Sequence, residues 1–353
     1  PGGDFLVSGA VSNQNYPTQN GHFAMRFDST GNLLWKKLIR INAQSRDEFT
    51  LYSPFGQGTL YFVSSCYNNA ISLGGVHILK TDVNSNILDS AFFQIDQSQF
   101  AVPKAGIINS QGDLVLAGGS YQKLYFMRLD TSLQMMDTRS LTCLNGPQTV
   151  LTVNNIIEMP GNNYIIASKG STTPNWIFKL DSAGHILNQV GINKANTTFF
   201  NISFLAVNSS GYFFAAGHSG YSPTNQFSCD LLCFTDTLSP VSFTSYFGTG
   251  PAGLLMYNDH PLISSQPYFG ATGEKPVAYF ETDSIGNICT SIASPVSTAT
   301  VPLFTETISA VNYYAAPSSS VLTFVHTETV LTSFVANDFC LFNGEQEIND
   351  NTA

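Results

Sequence analysis

Three acids are the first candidates for chemistry: Glu48, Asp113 and Glu158, set in strand-like and loop stretches of successive segments. Carboxylates converging on one cleft about 5–9.5 Å apart can share the acid, base or nucleophile roles of glycosidic cleavage. The histidines (His22, His77, His185, His218, His260 and His326) are scattered. None pairs with another histidine or a cysteine at the i, i+2 or i, i+4 spacing that a metal site uses on a strand or helix. Asp28 and Asn32 are oxygen donors four residues apart, which raises calcium. Each such segment offers one carboxylate, and calcium takes about six to eight oxygens, so a turn is the better reading. Gly217-His218-Ser219-Gly220 and Gly118-Gly119-Ser120 close apolar strand-like runs. A nucleophile elbow instead needs a strand-to-helix turn. The sequence carries no phosphate loop and no dinucleotide fingerprint. No catalytic, cofactor-binding or metal-binding residue is therefore assigned, and no cofactor is expected.

The elements that would position any site repeat along the chain. Trp176 to Leu187 reads as a strand, a tight turn around Asp181-Ser182-Ala183-Gly184-His185, and a second strand. The same pattern recurs at Phe23 to Trp35 and Tyr125 to Leu133. Its turn aspartates are read at Asp28, Asp82, Asp130, Asp181, Asp236 and Asp283, with gaps of 47 to 55 residues. That period, about four short strands long, belongs to the propeller range of repeats. Asp can bond its own backbone two residues on, and Gly supplies the positive φ that a three- to five-residue hairpin needs. Runs such as Tyr164-Ile165-Ile166-Ala167 and Tyr212-Phe213-Phe214-Ala215-Ala216 are apolar at every position. A strand of that kind is buried on both faces. The small residues that end these runs predict close approach of neighbouring blades.

A basic residue stands two before the turn aspartate at Arg26, Lys80, Arg128 and Lys179. Alternation puts the pair on one face of the strand. A solvated ion pair is the expected role. A ring of cations binding an anion is not expected, because Phe234 and Glu281 hold the equivalent positions further on.

These residues resemble the secreted bacterial seven-bladed β-propeller repeat proteins. The best match is Asp4-Phe5-Leu6-Val7-Ser8-Gly9 with Ala24-Met25-Arg26-Phe27-Asp28-Ser29-Thr30-Gly31-Asn32-Leu33-Leu34-Trp35. The motif specifies a fold and no chemistry. The expected architecture is all-β, with seven blades of four antiparallel strands, or six blades plus a closing tail. Residues 1–343 form one propeller domain in this reading, and 344–353 a flexible polar tail. The first blade lacks its inner strand. Phe304 to Ala316, Ser320 to Thr329 and Ser333 to Phe342 are expected to make the seventh, and His218 to Gln226 a polar loop.

Composition narrows the class. Only 11% of the 353 residues are charged while 43% are hydrophobic, and the net charge is −10. Nucleic-acid binding needs clustered Lys and Arg, which are missing. No run reaches the length of about 18 apolar residues that a membrane helix requires. Cys66, Cys143, Cys229, Cys233, Cys289 and Cys340 lack zinc spacing and are expected to be mostly buried thiols. The polar residues are largely Ser, Thr, Asn and Gln, which suits an extracellular or cell-surface protein. The chain, starting at Pro1, reads as one whose leader has been removed. The expected function is a non-catalytic interaction, adhesion or assembly module that uses propeller faces and edges. Its partner would be a protein, a glycan or a second copy. The alternative is a polysaccharide hydrolase or lyase with Glu48, Asp113 and Glu158 at a central channel.

Overall fold

The structure is a computed structural model. It describes residues 3–11, 21–40, 44–53, 58–68, 73–93, 102–120, 123–143, 151–170, 175–194, 197–221, 226–247, 249–267 and 278–285, and the short segments 292–293, 296–299, 304–307 and 327–330.

The described residues are all-β, and neighbouring strands in sequence pair antiparallel. Sheet one holds β1 (Phe5–Val11), β2 (Gly21–Phe27) and β3 (Leu33–Arg40). Sheet two holds β4 (Gln44–Ser53), β5 (Thr59–Asn68), β6 (Leu73–Asp82) and β7 (Ile87–Phe93). Sheet three holds β8 (Val102–Ile108), β9 (Leu114–Ser120), β10 (Lys123–Leu129) and β11 (Met135–Cys143). Sheet four holds β12 (Leu151–Met159), β13 (Asn163–Gly170), β14 (Asn175–Leu180) and β15 (Ile186–Lys194). Sheet five holds β16 (Thr197–Val207), β17 (Phe213–Tyr221), β18 (Gln226–Phe234) and β19 (Pro240–Phe247). Sheet six holds β20 (Thr249–Tyr257), β21 (His260–Pro267) and β22 (Ala278–Glu281).

The first strands pack in series, β4 on β8, β8 on β12, β12 on β16 and β16 on β20, with β1 against β4. This is a propeller-type arrangement. Each of β4, β8, β12 and β20 carries one register step opposite its partner and β16 carries two, so the first strands of five sheets are bulged. A bulge bends and twists a strand, which is what a strand needs at the crowded inner end of a blade.

The all-apolar second strands behave as their pattern dictates. In β13, Tyr164 and Ile166 pack towards sheet three, while Ile165 and Ala167 pack towards sheet five. In β9, Val115 and Ala117 face sheet four, and Leu114 and Leu116 face sheet two. In β17, Phe213 and Ala215 face sheet four, and Phe214 and Ala216 face sheet six. The aromatic members of these layers, Tyr164, Phe213 and Phe214, are fully buried. Each such side chain contributes roughly 1.5–3 kcal/mol by leaving water. The expected role of the terminal small residues is corrected at Gly217. A Cβ there would lie 2.3 Å from the Asn201 carbonyl oxygen, so the close approach is to β16 of its own sheet and not to the next blade.

Four short strands from the end of the chain pair elsewhere than expected. β23 (Ile292–Ala293) joins the outer edge of sheet five and β24 (Val296–Ala299) that of sheet four. β25 (Phe304–Thr307) joins sheet three, and β26 (Thr327–Val330) joins sheet one. Of the expected strands Phe304 to Ala316 and Ser320 to Thr329, the parts described do not pair with one another. Their described parts extend sheets three and one, because an outer strand has an unpaired edge that accepts another strand. The expected strand at Ser333 to Phe342, the weak repeat copy at 337–344 and the polar tail lie outside the described residues. The expected loop from His218 is also corrected, since β17 continues to Tyr221.

Gly31 and Gly184 occupy the same turn position, at φ of 87° and 86°. Around Gly31 a Cβ would meet nothing within 4 Å, whereas at Gly184 it would lie 2.4 Å from Phe126 Cδ1. Gly31→Ala should cost about 1–2 kcal/mol, the left-handed strain alone. Gly184→Ala should cost at least about 1 kcal/mol more, because Phe126 must also be displaced. Urea unfolding of the two variants decides this, and equal losses would refute the packing argument.

Candidate functional site

In a four-stranded antiparallel sheet, the first and third turns emerge at the same end. One face of the molecule therefore collects the inner hairpin turns and the outer Asp turns. The outer turn closes by Asp28 N to Asn32 O at 2.9 Å and Gly31 N to Asp28 O at 3.0 Å. Asp28 Oδ1 accepts from Thr30 N at 2.9 Å and Asn32 N at 2.8 Å. Asp82, Asp130 and Asp181 repeat these bonds. In sheet five the opener is Thr235, whose N donates to Ser239 O at 2.9 Å. Asp236 is therefore the second turn residue, one place later than read from the sequence. Asn32 Nδ2 also lies 2.9 Å from Asp28 Oδ2, so both oxygens of this carboxylate serve its turn.

The residue at positive φ need not be glycine. Leu133 (φ 55°) and Leu238 (φ 63°) hold the place of Gly31. Both are nearly fully buried, at 3% and 4% exposure, and burial offsets the backbone strain.

The basic residues bridge sheets. Arg26 Nη1 donates to the Val83 carbonyl, Lys80 Nζ to that of Thr131, and Arg128 Nη1 to that of Ser182. Each acceptor is the residue after the turn opener of the following sheet. Lys179 completes the series, its Nζ 3.5 Å from Asp236 Oδ2, again the residue after the opener. The expected solvated pair with the local aspartate is thus corrected: the cation serves its neighbour's turn. Arg26 also pairs with Asp4 at 2.7 Å, and Arg128 with Asp137 at 3.2 Å.

Of the three acids of the enzymatic alternative, the two whose side chains are described, Glu158 and Asp113, have different partners. Glu158 is held by Ser110, whose N and Oγ donate to it at 2.7 and 2.9 Å. Sheet six holds the equivalent clamp, with Ser209 N and Oγ each 2.7 Å from Asp259. Both serines follow a turn asparagine, Asn109 and Asn208, so the clamp is a second repeat feature, legible as Asn-Ser-x-Gly. Asp113 is 8% exposed and faces Arg128 Nε at 3.7 Å. The Glu48 side chain lies outside the described residues.

The histidines do not converge. His185 bonds Asp181 at 2.9 Å and Arg139 at 3.0 Å, and His260 Nδ1 lies 3.0 Å from the Thr282 carbonyl. Burial, with the Lys169 charge behind it, pushes His218 below its ordinary range. Among the described residues no group of three or more His, Cys, Asp or Glu side chains is placed to hold a metal. Cys229 and Cys233 are free thiols, and burial pushes Cys233 up to about 11. The remaining cysteines, and the side chains of His22 and His326, lie outside what the structure describes.

Between sheets four and five the turn-bearing face opens into a cleft of about 450 Å³. The hairpin of residues 159–163 forms one wall and the turn of 209–212 the other, with Thr235, Lys179 and Asp236 at its outer end. Asp236 is 62% exposed and Lys179 14% exposed, so the carboxylate faces solvent while its cation is set back. Nothing in the sequence singled out this site. Its walls come from turns about 50 residues apart, and only the register of the repeats brings them together.

No family model and no curated protein matches this sequence. Among solved structures, a candidate exo-β-1,3-galactanase of Bifidobacterium bifidum s17 aligns at 12% identity and a TM-score of 0.38, covering 77% of this chain and 94% of that one. The Dos1 propeller aligns at 11% and 0.41, covering 69% and 60%. A protein of unknown function from Dyadobacter fermentans DSM 18053 aligns at 8% and 0.45, covering 79% and 94%. At these identities and scores neither ligand nor chemistry transfers. Fold and site together define an all-β repeat protein of propeller-type arrangement with a polar cleft between adjacent sheets. The resemblance to secreted bacterial propeller repeats holds at that level of fold. Among the described residues no helix is long and apolar enough to cross a membrane.

The turn carboxylates set an acid limit. Hydrogen bonds from the Asn32 side chain, then Thr30, hold Asp28 at about 2. Burial raises Asp82 and Asp181, but hydrogen bonds from Asn86 and His185 outweigh it and leave both lowered. The Ser209 amide and hydroxyl lower Asp259. A carboxyl depressed on folding stabilises fully above its unfolded value, about 3.9, and ceases to do so as pH falls through its folded value. The unfolding temperature should be level above about pH 5 and fall as the medium is acidified from about pH 4 towards 2. Replacing Asp82 and Asp181 together by Asn should make that fall shallower. A wild-type profile flat to pH 2 would refute the assignment.

Proposed function

We propose that this chain is a non-catalytic extracellular or cell-surface interaction module whose turn-bearing face binds carbohydrate in the cleft between sheets four and five. Residues 1–343 would act as one propeller domain, with 344–353 as a polar tail. The cleft carries the reading. It is concave, of small-ligand size and lined with hydroxyl, amide, aromatic and charged groups within reach of one another. Ser210, Asn163, Thr235 and Asp236 offer the mixed donors and acceptors that sugar hydroxyls need. The low charge content and the Asn- and Ser-rich surface support an exterior location.

Carbohydrate cleavage is the second reading, since it would use the same ligand class. It calls for two carboxyl groups across the bond. Among the described lining residues Asp236 is the single carboxylate, and Glu158 is engaged by Ser110. This favours binding without turnover.

Titration calorimetry with a panel of neutral and acidic oligosaccharides, β-1,3-galactans included, tests both readings. Binding should weaken at least about tenfold in Asp236→Ala, the loss of a hydrogen bond to a charged group. Asn163→Ala should weaken it comparably. Release of new reducing ends from any bound glycan would replace the binding reading with the enzymatic one. No binding across the panel, or binding indifferent to both substitutions, would remove the cleft from consideration.

A further inference from the structure

A second buried polar cluster lies away from the cleft, where the last residue of β15 reaches from sheet four into sheet five. Lys194 Nζ stands 2.7 Å from Asp230 Oδ1, with side chains 2% and 0% exposed. Three serine hydroxyls surround the pair. Ser219 Oγ is 2.9 Å from Nζ and 2.7 Å from Asp230 Oδ2. Ser245 Oγ and Ser228 Oγ donate to Oδ1 at 2.7 and 3.0 Å. The Phe243 ring covers Nζ at 5.2 Å from its centroid.

The division of labour is chemical as well as structural. One carboxyl oxygen, Oδ1, receives two hydroxyl donors, as an oxygen that gains negative charge requires. The other, Oδ2, meets the amine through the Ser219 hydroxyl alone, whereas Ser245 and Ser228, 2.9 and 3.3 Å from Nζ, bridge it to Oδ1. Two charged groups withdrawn from water are costly to keep.

We infer that Lys194 and Asp230 condense into an intramolecular amide that covalently joins sheet four to sheet five. After proton transfer from Lys194 to Asp230, the Nζ lone pair attacks Cγ. A Nζ–Cγ bond forms, and charge gathers on Oδ1 against the Ser245 and Ser228 hydroxyls. Ser219 accepts a proton from Nζ and delivers one to Oδ2. The Cγ–Oδ2 bond breaks, and one water leaves. Amine and acid lose a single water between them, and no oxidant or activating group takes part. Holding the reactants in contact supplies an effective concentration of about 10⁵–10⁸ M, and burial keeps water from reversing the step.

Intact-mass spectrometry of the full chain under denaturing conditions reads the result directly. The expected mass is the sequence mass less one water. Proteolysis should yield one branched species in which the peptides bearing Lys194 and Asp230 remain joined. Lys194→Met should restore the full sequence mass, and Ser219→Ala should leave most chains unlinked while the sheets still form. A wild-type chain at its unreduced sequence mass overturns the inference, whether or not any variant folds. So does a water loss confined to a single linear peptide, which marks a cyclised aspartate. Complete linkage in Ser219→Ala overturns the relay assigned to that hydroxyl.

Discussion

A strand that is apolar on both faces is stable only between two other sheets, and this constraint governs the rest of the molecule. Neither face of β9, β13 or β17 can meet water without cost. Sheets three, four and five, which hold these strands, must therefore each sit between two neighbours. The alternation of Tyr164 and Ile166 with Ile165 and Ala167 divides one strand between two cores. Repeating that unit produces a series of sheets, and the bulge in each first strand lets their inner ends crowd together.

Burial alone does not set the angle or register between sheets. The polar contacts along the turn-bearing face do. Arg26, Lys80, Arg128 and Lys179 each reach the residue after the opener of the next turn. Ser110 and Ser209 each grip a carboxylate of the next sheet. Two sets of bonds at different radii fix one sheet against another as two points fix a line. The same bonds occupy the acids along this face. Glu158 and Asp259 are engaged by serines, and Asp28, Asp82, Asp130 and Asp181 by their own turns.

The cleft lies where this pattern changes. In sheet five the turn opener is Thr235, so the acid shifts one place to Asp236. Lys179 then meets a carboxylate side chain where its counterparts meet a backbone carbonyl. A backbone acceptor is fixed in place, whereas Asp236 stands largely in solvent. The departure from the repeat thus leaves a charged, accessible pair at the mouth of a concave site.

The amino-acid pattern by itself determined the repeat, its turns and its buried second strands. Those features are local: they depend on alternation along one strand or on an Asp and a Gly a few residues apart. The partners of Arg26 or Ser110 were not legible, because they lie about 50 residues away and a degenerate repeat does not say which copy a side chain serves. Asp236 was placed one position early for the same reason, since only the hydrogen bond from Thr235 identifies the opener. The tertiary structure decided that Phe304–Thr307 and Thr327–Val330 extend sheets three and one. A short strand pairs with whichever edge is open, and edge availability is a property of the assembled sheets.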